Sequence, residues 1–214
     1  MMDSRCILVG AGAFGRELIN WARDAESKGV FPQLAGFIDD THNGLKNPDY
    51  NLQSLGSIQD YQPQPNDIFL MGVADPKGKE SVVNLLKSKG AEFITLIHPT
   101  AIVARTARLG TGSILCPFSM VSADAIVGDF VTINSYSGVG HDAHVGEYTT
   151  MSGHVDLTGR VKCGRSVFFG TGAKVIPDVS IGDSAIIGAG TLIVRSVKAG
   201  VTMYAMPSSR LQMK

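Results

Sequence analysis

From Val103 to Ile193 an apolar residue recurs at every sixth position: Val103, Leu109, Leu115, Val121, Val127, Ile133, Val139, Val145, Met151, Leu157, Cys163, Phe169, Val175, Ile181, Ile187 and Ile193. The beat runs through sixteen hexads without an insertion. Two places before each apolar residue sits a small or β-branched one, from Ala101 and Ala107 to Ala185 and Thr191. Glycine follows the apolar residue in eight of the sixteen hexads, which predicts that glycine forms the turns. A period of six is neither helical nor the alternation of a long strand. It fits one flat face of a triangular solenoid, a short strand plus a turn, with three hexads closing a coil. One coil cannot bury its own apolar face, so coils must stack. At roughly 4.8 Å per coil, a little over five coils give a prism about 25 Å tall. A β-sandwich of short strands is the alternative, but sandwich loops vary in length and would break the register.

A different pattern precedes the repeat. Apolar runs at 6–9, Leu34–Ile38, 68–73 and 93–97 read as strands, and amphipathic stretches at 16–28 and 79–89 read as helices. This alternation predicts a small parallel α/β sheet over residues 1–98, followed by the solenoid over 99–214. Residues 43–65 are polar and proline-bearing, mostly loop. Between the first strand and helix lies G-A-G-A-F-G at 10–15, where backbone amides at a helix start favour a phosphate. Asp39 ends the second strand, where an acid of a dinucleotide fold bonds a ribose hydroxyl. Four strands make about one mononucleotide half, which favours a nucleoside diphosphate over a full dinucleotide. A tight turn that binds nothing is the other explanation of the glycines.

Composition removes several classes. The 214 residues carry no net charge and no Lys/Arg run, so no nucleic-acid partner is expected. No apolar run is long enough for a membrane span, and no signal peptide is expected, which makes a cytoplasmic protein the default. Cys6, Cys116 and Cys163 are odd in number and irregular in spacing, and Cys163 takes an inward repeat position, so they suggest neither a disulfide framework nor a zinc finger. His42 reads as solvated and His98, before Pro99, as structural. His141, His144 and His154 lie on different parts of the hexad pattern, so no metal is expected.

G-A-G-A-F-G, then G-F-I-D-D, then L-I-H-P-T leading into hexads, resembles the bacterial nucleotide-amino-sugar N-acetyltransferases and the related sialic-acid O-acetyltransferases. These are hexapeptide-repeat acyltransferases. The similarity runs to a closing segment, Tyr204 to Arg210, that looks like the family's terminal strand with Ala205, Ser208 and a late Arg210 as departures. The resemblance implies a small N-terminal α/β (Rossmann-like) domain plus a C-terminal left-handed parallel β-helix, handedness included, and a homotrimer. It implies an acetyl-CoA-dependent N-acetyltransferase acting on a UDP- or TDP-linked 4-amino-4,6-dideoxy sugar for glycan biosynthesis. O-acetylation of a sugar hydroxyl, or a non-catalytic nucleotide-binding β-helix protein, are the alternatives.

The resemblance carries roles to particular residues. Gly12, Ala13 and Phe14 would meet the phosphates and sugar, Asp39 and Asp40 the nucleotide, and Ala74 the substrate loop, where Gly72 replaces a glycine expected two places later. The segment from Asn134 to His141 and Asp142 resembles the family's catalytic strand, with Asn134 implied in substrate binding. An amine attacking a thioester must lose a proton, and imidazole is suited to take it. His141 is thus the expected base and Asp142 its support; a bare surface-turn role is the alternative. Gly159 lies 18 residues on, one coil above, and its unshielded amide is expected to hold an oxyanion. Thr150, Thr171 and Ala189 are implied as acetyl-CoA contacts along one column; Thr150 stands where some members carry a second histidine.

Overall fold

The computed structural model describes residues 4–41, 45 and 47–206. From Leu96 to Met203 the chain forms eighteen parallel strands of two residues each. They gather into three sheets of seven, six and five strands. Facing residues are 18 apart, as in Ile126 with His144, Thr132 with Thr150 and Gly138 with Asp156. The result is a left-handed-type parallel β-helix of about six turns. Every inward residue of the beat from Leu115 to Ile193 is buried in one continuous core, each aliphatic side chain contributing about 1.5–3 kcal/mol of burial.

Two boundaries differ from expectation. The apolar run 93–97 is split: Glu92–Phe93 stays in the N-terminal sheet, while Leu96–Ile97 pairs with Ile114–Leu115 as the first rung of the solenoid. The Ile94 amide bonds to Phe69 and the Leu96 amide to Ser113, so the chain changes sheets within two residues. At the other end the beat slips, with Ile186 facing Thr202.

The turns are not made by the glycines that follow the inward residue. The corner position has positive φ at every sixth residue from Gly112 to Gly190, and eleven of those fourteen corners carry a side chain: Phe118, Asp124, Phe130, Tyr136, Asp142, Tyr148, His154, Arg160, Ser166, Asp178 and Ser184. Left-handed backbone costs such residues about 1–2 kcal/mol each. From Phe130 on, each corner amide recovers part of it by bonding a carbonyl of the preceding coil, as Tyr148 does to Asp129 and Arg160 to His141, while Phe118 and Asp124 bond the hydroxyls of Thr100 and Thr106. The eight expected turn glycines lie where coils touch. A Cβ at any of them would stand 2.1–3.1 Å from an atom of the next coil.

The N-terminal residues form a parallel sheet of β1 (Arg5–Val9), β2 (Leu34–Ile38), β3 (Asp67–Met71) and β4 (Glu92–Phe93) in the order β2-β1-β3-β4, with helices α1 (Ala13–Ser27) and α2 (Pro76–Ser88). Alternation along β1 divides its side chains: Cys6 and Leu8 share a core with Leu18, Ile19 and Ala22 of α1, and Ile7 and Val9 with Val83 and Leu86 of α2. Both cores run on into the solenoid, the first reaching Leu96, Ile114 and Cys116, the second Phe130 and Tyr148. The sheet is therefore seated on the seven-stranded face. There the outward residues Leu96, Ile114, Thr132 and Thr150 are buried, whereas Ile102, Met120 and Leu192 on the six-stranded face are exposed. Among the described residues no helix is long and apolar enough to cross a membrane.

The two kinds of hexad position should respond oppositely to substitution. Gly146→Ala places a Cβ within 2.4–2.6 Å of Gly164 and Arg165 backbone and is expected to cost about 1–3 kcal/mol. Asp124→Gly relieves a left-handed corner and should change stability by less than about 1 kcal/mol. Denaturant titration of both variants measures this; equal losses would contradict the division of roles.

Candidate active site

His141 lies on the edge between the six- and five-stranded faces, between strands Gly138–Val139 and His144–Val145. Asp142 occupies the left-handed corner, φ 57°, which turns its carboxylate back onto its neighbour. Asp142 Oδ2 stands 2.7 Å from His141 Nδ1. That contact assigns the Nδ1 proton to the Asp142 side and leaves Nε2 with a free lone pair. Both side chains are about half exposed, 56% and 55%.

Gly159 sits directly over this ring. A Cβ there would stand 2.4 Å from His141 Nε2 and 2.6 Å from Cε1. The glycine is buried because the imidazole fills the space a side chain would take, so it is not the unshielded position that the repeat suggested. Among the described residues its amide N–H has no backbone acceptor. Further up the same edge, Arg160 donates two hydrogen bonds to Asp178, at 2.7 and 2.8 Å. Those bonds hold the Asp178 carboxyl below the usual carboxylate range, and they leave Asp142 to the histidine.

The expected cofactor residues do not share one column. Thr171 and Ala189 do, exposed on the edge between the seven- and six-stranded faces, where the Gly190 amide bonds the Thr171 carbonyl at 2.9 Å. Below them on this edge stands a ladder of stacked rings, Phe118, Tyr136 and His154, with centroids 5.1 and 5.0 Å apart. It stops at Gly172 and Gly190, which leave the upper edge open. Thr150 lies elsewhere. Its separation of 21 residues from Thr171 is half a hexad off the period, which moves it onto the covered seven-stranded face. Its hydroxyl donates to the Ala74 carbonyl at 2.6 Å and accepts from Lys79 Nζ at 2.9 Å, so the position reads as a structural junction rather than a cofactor contact. Asn134, near the base of the ladder, accepts from the Ser135 amide at 2.6 Å.

The glycine loop is built by close approach. Gly10 takes φ 86°, and a Cβ on Gly15 would stand 2.1 Å from the Gly10 carbonyl. Gly72 is forced by the same packing, since a Cβ there would stand 2.5 Å from that oxygen, which explains the glycine at this position. Gly12 caps α1 without a side-chain bond and has nothing within 4 Å of a Cβ. Gly12 and Ala13 are exposed, and Phe14 leans edge-on against Trp21. Asp39 is buried, and its carboxylate accepts from the amides of Ala11 and Thr41, each at 2.7 Å, and from the Thr41 hydroxyl. It holds the loop in shape rather than standing open to a ribose. Asp40 accepts from the Ile58 amide at 2.8 Å. Asp75 caps α2 by accepting from the Gly78 amide at 2.7 Å.

Within one chain these parts are not brought together. The glycine loop and Ala74 belong to the body on the seven-stranded face; His141 and Gly159 occupy the opposite edge. Lys79, which the helical pattern left unremarked, is fully buried and donates to the Phe130 carbonyl and the hydroxyls of Thr132 and Thr150, each at 2.9 Å. Its position was legible: it lies three, four and seven residues before Val82, Val83 and Leu86, on the apolar stripe of α2. His98 bridges Thr100 and Asp24, as its structural assignment implies. His144 projects from the five-stranded face. Among the described residues no cluster of three or more His, Cys, Asp or Glu is placed to hold a metal ion. His42, Ser208 and Arg210 lie outside the described residues.

Gly159→Ala should expel the imidazole and break its bond to Asp142 while leaving the coils stacked. A crystal structure of the variant checks this, and a ring unmoved would contradict the stacking. Burial pulls the Lys79 ammonium down to about 7, against a weaker upward pull from Asp75. The unfolded chain then binds this proton more tightly than the folded one between pH 7 and the ordinary lysine range, so stability rises with pH across that window. Against Lys79→Met, wild-type Tm should gain as pH goes from 7 to 10; a constant difference would show that Lys79 does not titrate there.

No known family model matches the chain. It is 29% identical over 118 residues to GDP-perosamine N-acetyltransferase of Escherichia coli O157:H7, covering 54% of this chain and 52% of that one. It is 32% identical over 118 residues to UDP-N-acetylbacillosamine N-acetyltransferase of Bacillus subtilis strain 168, covering 50% and 49%. The chain thus spans about half the length of the curated relatives it matches. Among solved structures, WeeI from Acinetobacter baumannii AYE superposes with a TM-score of 0.84 at 27% identity, covering 95% of this chain and 97% of that one. PerB from Caulobacter crescentus, solved with CoA and GDP-perosamine, gives 0.83 at 24% over 98% and 97%, a likeness of fold. The resemblance carried by the motifs is borne out: by sequence the chain is similar, over half its length, to N-acetyltransferases named for nucleotide amino sugars, and its fold is that of PerB and WeeI over nearly all of it.

Proposed function

We propose that this chain is an acetyl-CoA-dependent N-acetyltransferase acting on the amino group of a nucleotide-linked sugar, in the cytoplasmic supply of surface-glycan precursors. The observation that carries it is an imidazole held by a carboxylate at 2.7 Å and packed directly beneath Gly159, whose amide has no backbone acceptor among the described residues, in a chain similar to enzymes named for GDP-perosamine and UDP-N-acetylbacillosamine. The sugar amine attacks the thioester carbonyl carbon. His141 Nε2 takes the ammonium proton, Asp142 steadies the imidazolium, and the Gly159 N–H bonds the oxyanion. Collapse breaks the C–S bond, and the thiolate leaves as thiol with the proton from His141. All three cysteine thiols are buried, and burial pushes Cys6 and Cys163 up to about 12 and Cys116 well above its usual range, so direct transfer without an acyl-enzyme fits the chemistry.

The N-terminal sheet and its two helices, ending at Phe93, serve as a Rossmann-like nucleotide-binding domain on the solenoid that begins at Leu96. The uncapped start of α1, with Gly12, Ala13 and Phe14, suits a diphosphate. Asp39, Asp40 and Ala74 shape the walls around it, and Asn134, Thr171 and Ala189 lie on the edge where an extended pantetheine fits. These elements and His141 lie on separate edges of one prism, which supports a homotrimer whose neighbouring copies complete each site.

His141→Gln should lower kcat by about 10²–10⁴, read as thiol release with GDP- and UDP-linked amino sugars, while non-amino sugars give no release. Retention of most of kcat would remove the base assignment, and turnover only of hydroxyl sugars would make the protein an O-acetyltransferase. Mixing His141→Gln with Ala13→Trp subunits should restore part of the activity if two copies build each site; a mixture as inactive as its parents would contradict it.

A further inference from the structure

A fully buried lysine on the apolar stripe of a helix is a costly choice where packing alone would accept Leu or Met. Lys79 is 1% exposed, and among the described residues it forms no ion pair with a carboxylate. Its Nζ instead makes three hydrogen bonds, to the Phe130 carbonyl and the Thr132 and Thr150 hydroxyls, each at 2.9 Å. Thr132 and Thr150 face each other on adjacent rungs of the seven-stranded sheet. His141 lies on the one coil of chain between them.

The network does not end at the threonines. The Thr150 hydroxyl donates a hydrogen bond to the Ala74 carbonyl at 2.6 Å. The Lys79 backbone amide bonds the next carbonyl, that of Asp75, at 2.8 Å. The turn joining β3 to α2 is thus held at two successive carbonyls, one through the Lys79 head and one by its own amide. At the start of that turn Gly72 lies against the glycine loop, its amide bonding Val9 and its Cα within close packing of the Gly10 carbonyl. A continuous line of contacts therefore runs from the solenoid rungs through Lys79, Thr150, Ala74 and Gly72 to Gly10.

We propose that Lys79 is a positioning residue, which fixes the 72–75 turn, and through it the glycine loop, to the solenoid rungs that bracket the His141 coil. It touches no reacting atom. Its effect is to hold the sugar-nucleotide site at a set height along the prism, and in this it rests on the function proposed above. Lys79→Met keeps the length and apolar stem but removes every donor, and Thr150→Val removes the link to Ala74 together with one of the three Lys79 partners, leaving Phe130 and Thr132 in place.

Two measurements test this. Amide exchange in both variants should accelerate at 72–75 and 10–13 while the solenoid rungs beyond 160 stay as protected as in wild type. KM for the nucleotide amino sugar should rise about 5- to 20-fold, with KM for acetyl-CoA within twofold. A lowered Tm with unchanged exchange at 72–75 and an unchanged ratio of the two KM values would overturn the proposal and leave Lys79 a packing residue. If wild type acetylates no nucleotide sugar, the proposed function fails, and exchange at 72–75 still decides the role of Lys79. Should Lys79→Met not fold, Thr150→Val carries the same outcomes.

Discussion

The structure depends on one hydrogen bond repeated at the corners from Phe130 to Gly190, from the amide of a left-handed residue to a carbonyl of the coil before it. It lets an L-residue occupy a conformation it would otherwise avoid, and it closes each turn in six residues. Because the corner never lengthens, side chains 18 apart stand over one another along the prism. The rings of Phe118, Tyr136 and His154 stack for this reason, as do Arg160 and Asp178 in ion pairing. The contact between Gly159 and His141 follows from the same register, and a glycine is required at 159 because the imidazole occupies the place of a side chain.

A second constraint comes from the sheet seated on the seven-stranded face. Four outward positions there are withdrawn from water, and the polar ones among them, Thr132 and Thr150, become a socket for Lys79. Seating the N-terminal sheet on one face leaves the histidine edge free on the other side. Exposed apolar side chains, Ile102, Met120 and Leu192, lie on the six-stranded face between the histidine edge and the edge of stacked rings.

Much of this was legible in the residues. Inward positions are apolar because they must be buried, so the beat shows the solenoid, and the 18-residue spacing alone predicts that Gly159 overlies His141. The corners were not legible. Left-handed backbone held by an inter-coil bond tolerates Asp, Phe, Tyr, His and Arg alike, so no residue type marks it, and the conspicuous glycines mark coil contact instead. The first rung was hidden because Phe93 to Ile97 is one apolar run, and only the hydrogen bonds of Ile94 and Leu96 show where it divides. Thr150 was misplaced because nearness in number to Thr171 was read as nearness on the prism. Lys79 escaped notice because lysine on a helix is ordinarily solvated.

The central claim is that the solenoid register sets a base and an oxyanion donor on either side of one thioester carbonyl. A crystal structure with acetyl-CoA and a nucleotide amino sugar tests it most directly. The account predicts the thioester oxygen about 3 Å from the Gly159 nitrogen and the sugar amine within hydrogen-bond reach of His141 Nε2. An acetyl group bound away from this edge, or one whose carbonyl faces a different donor, would contradict it.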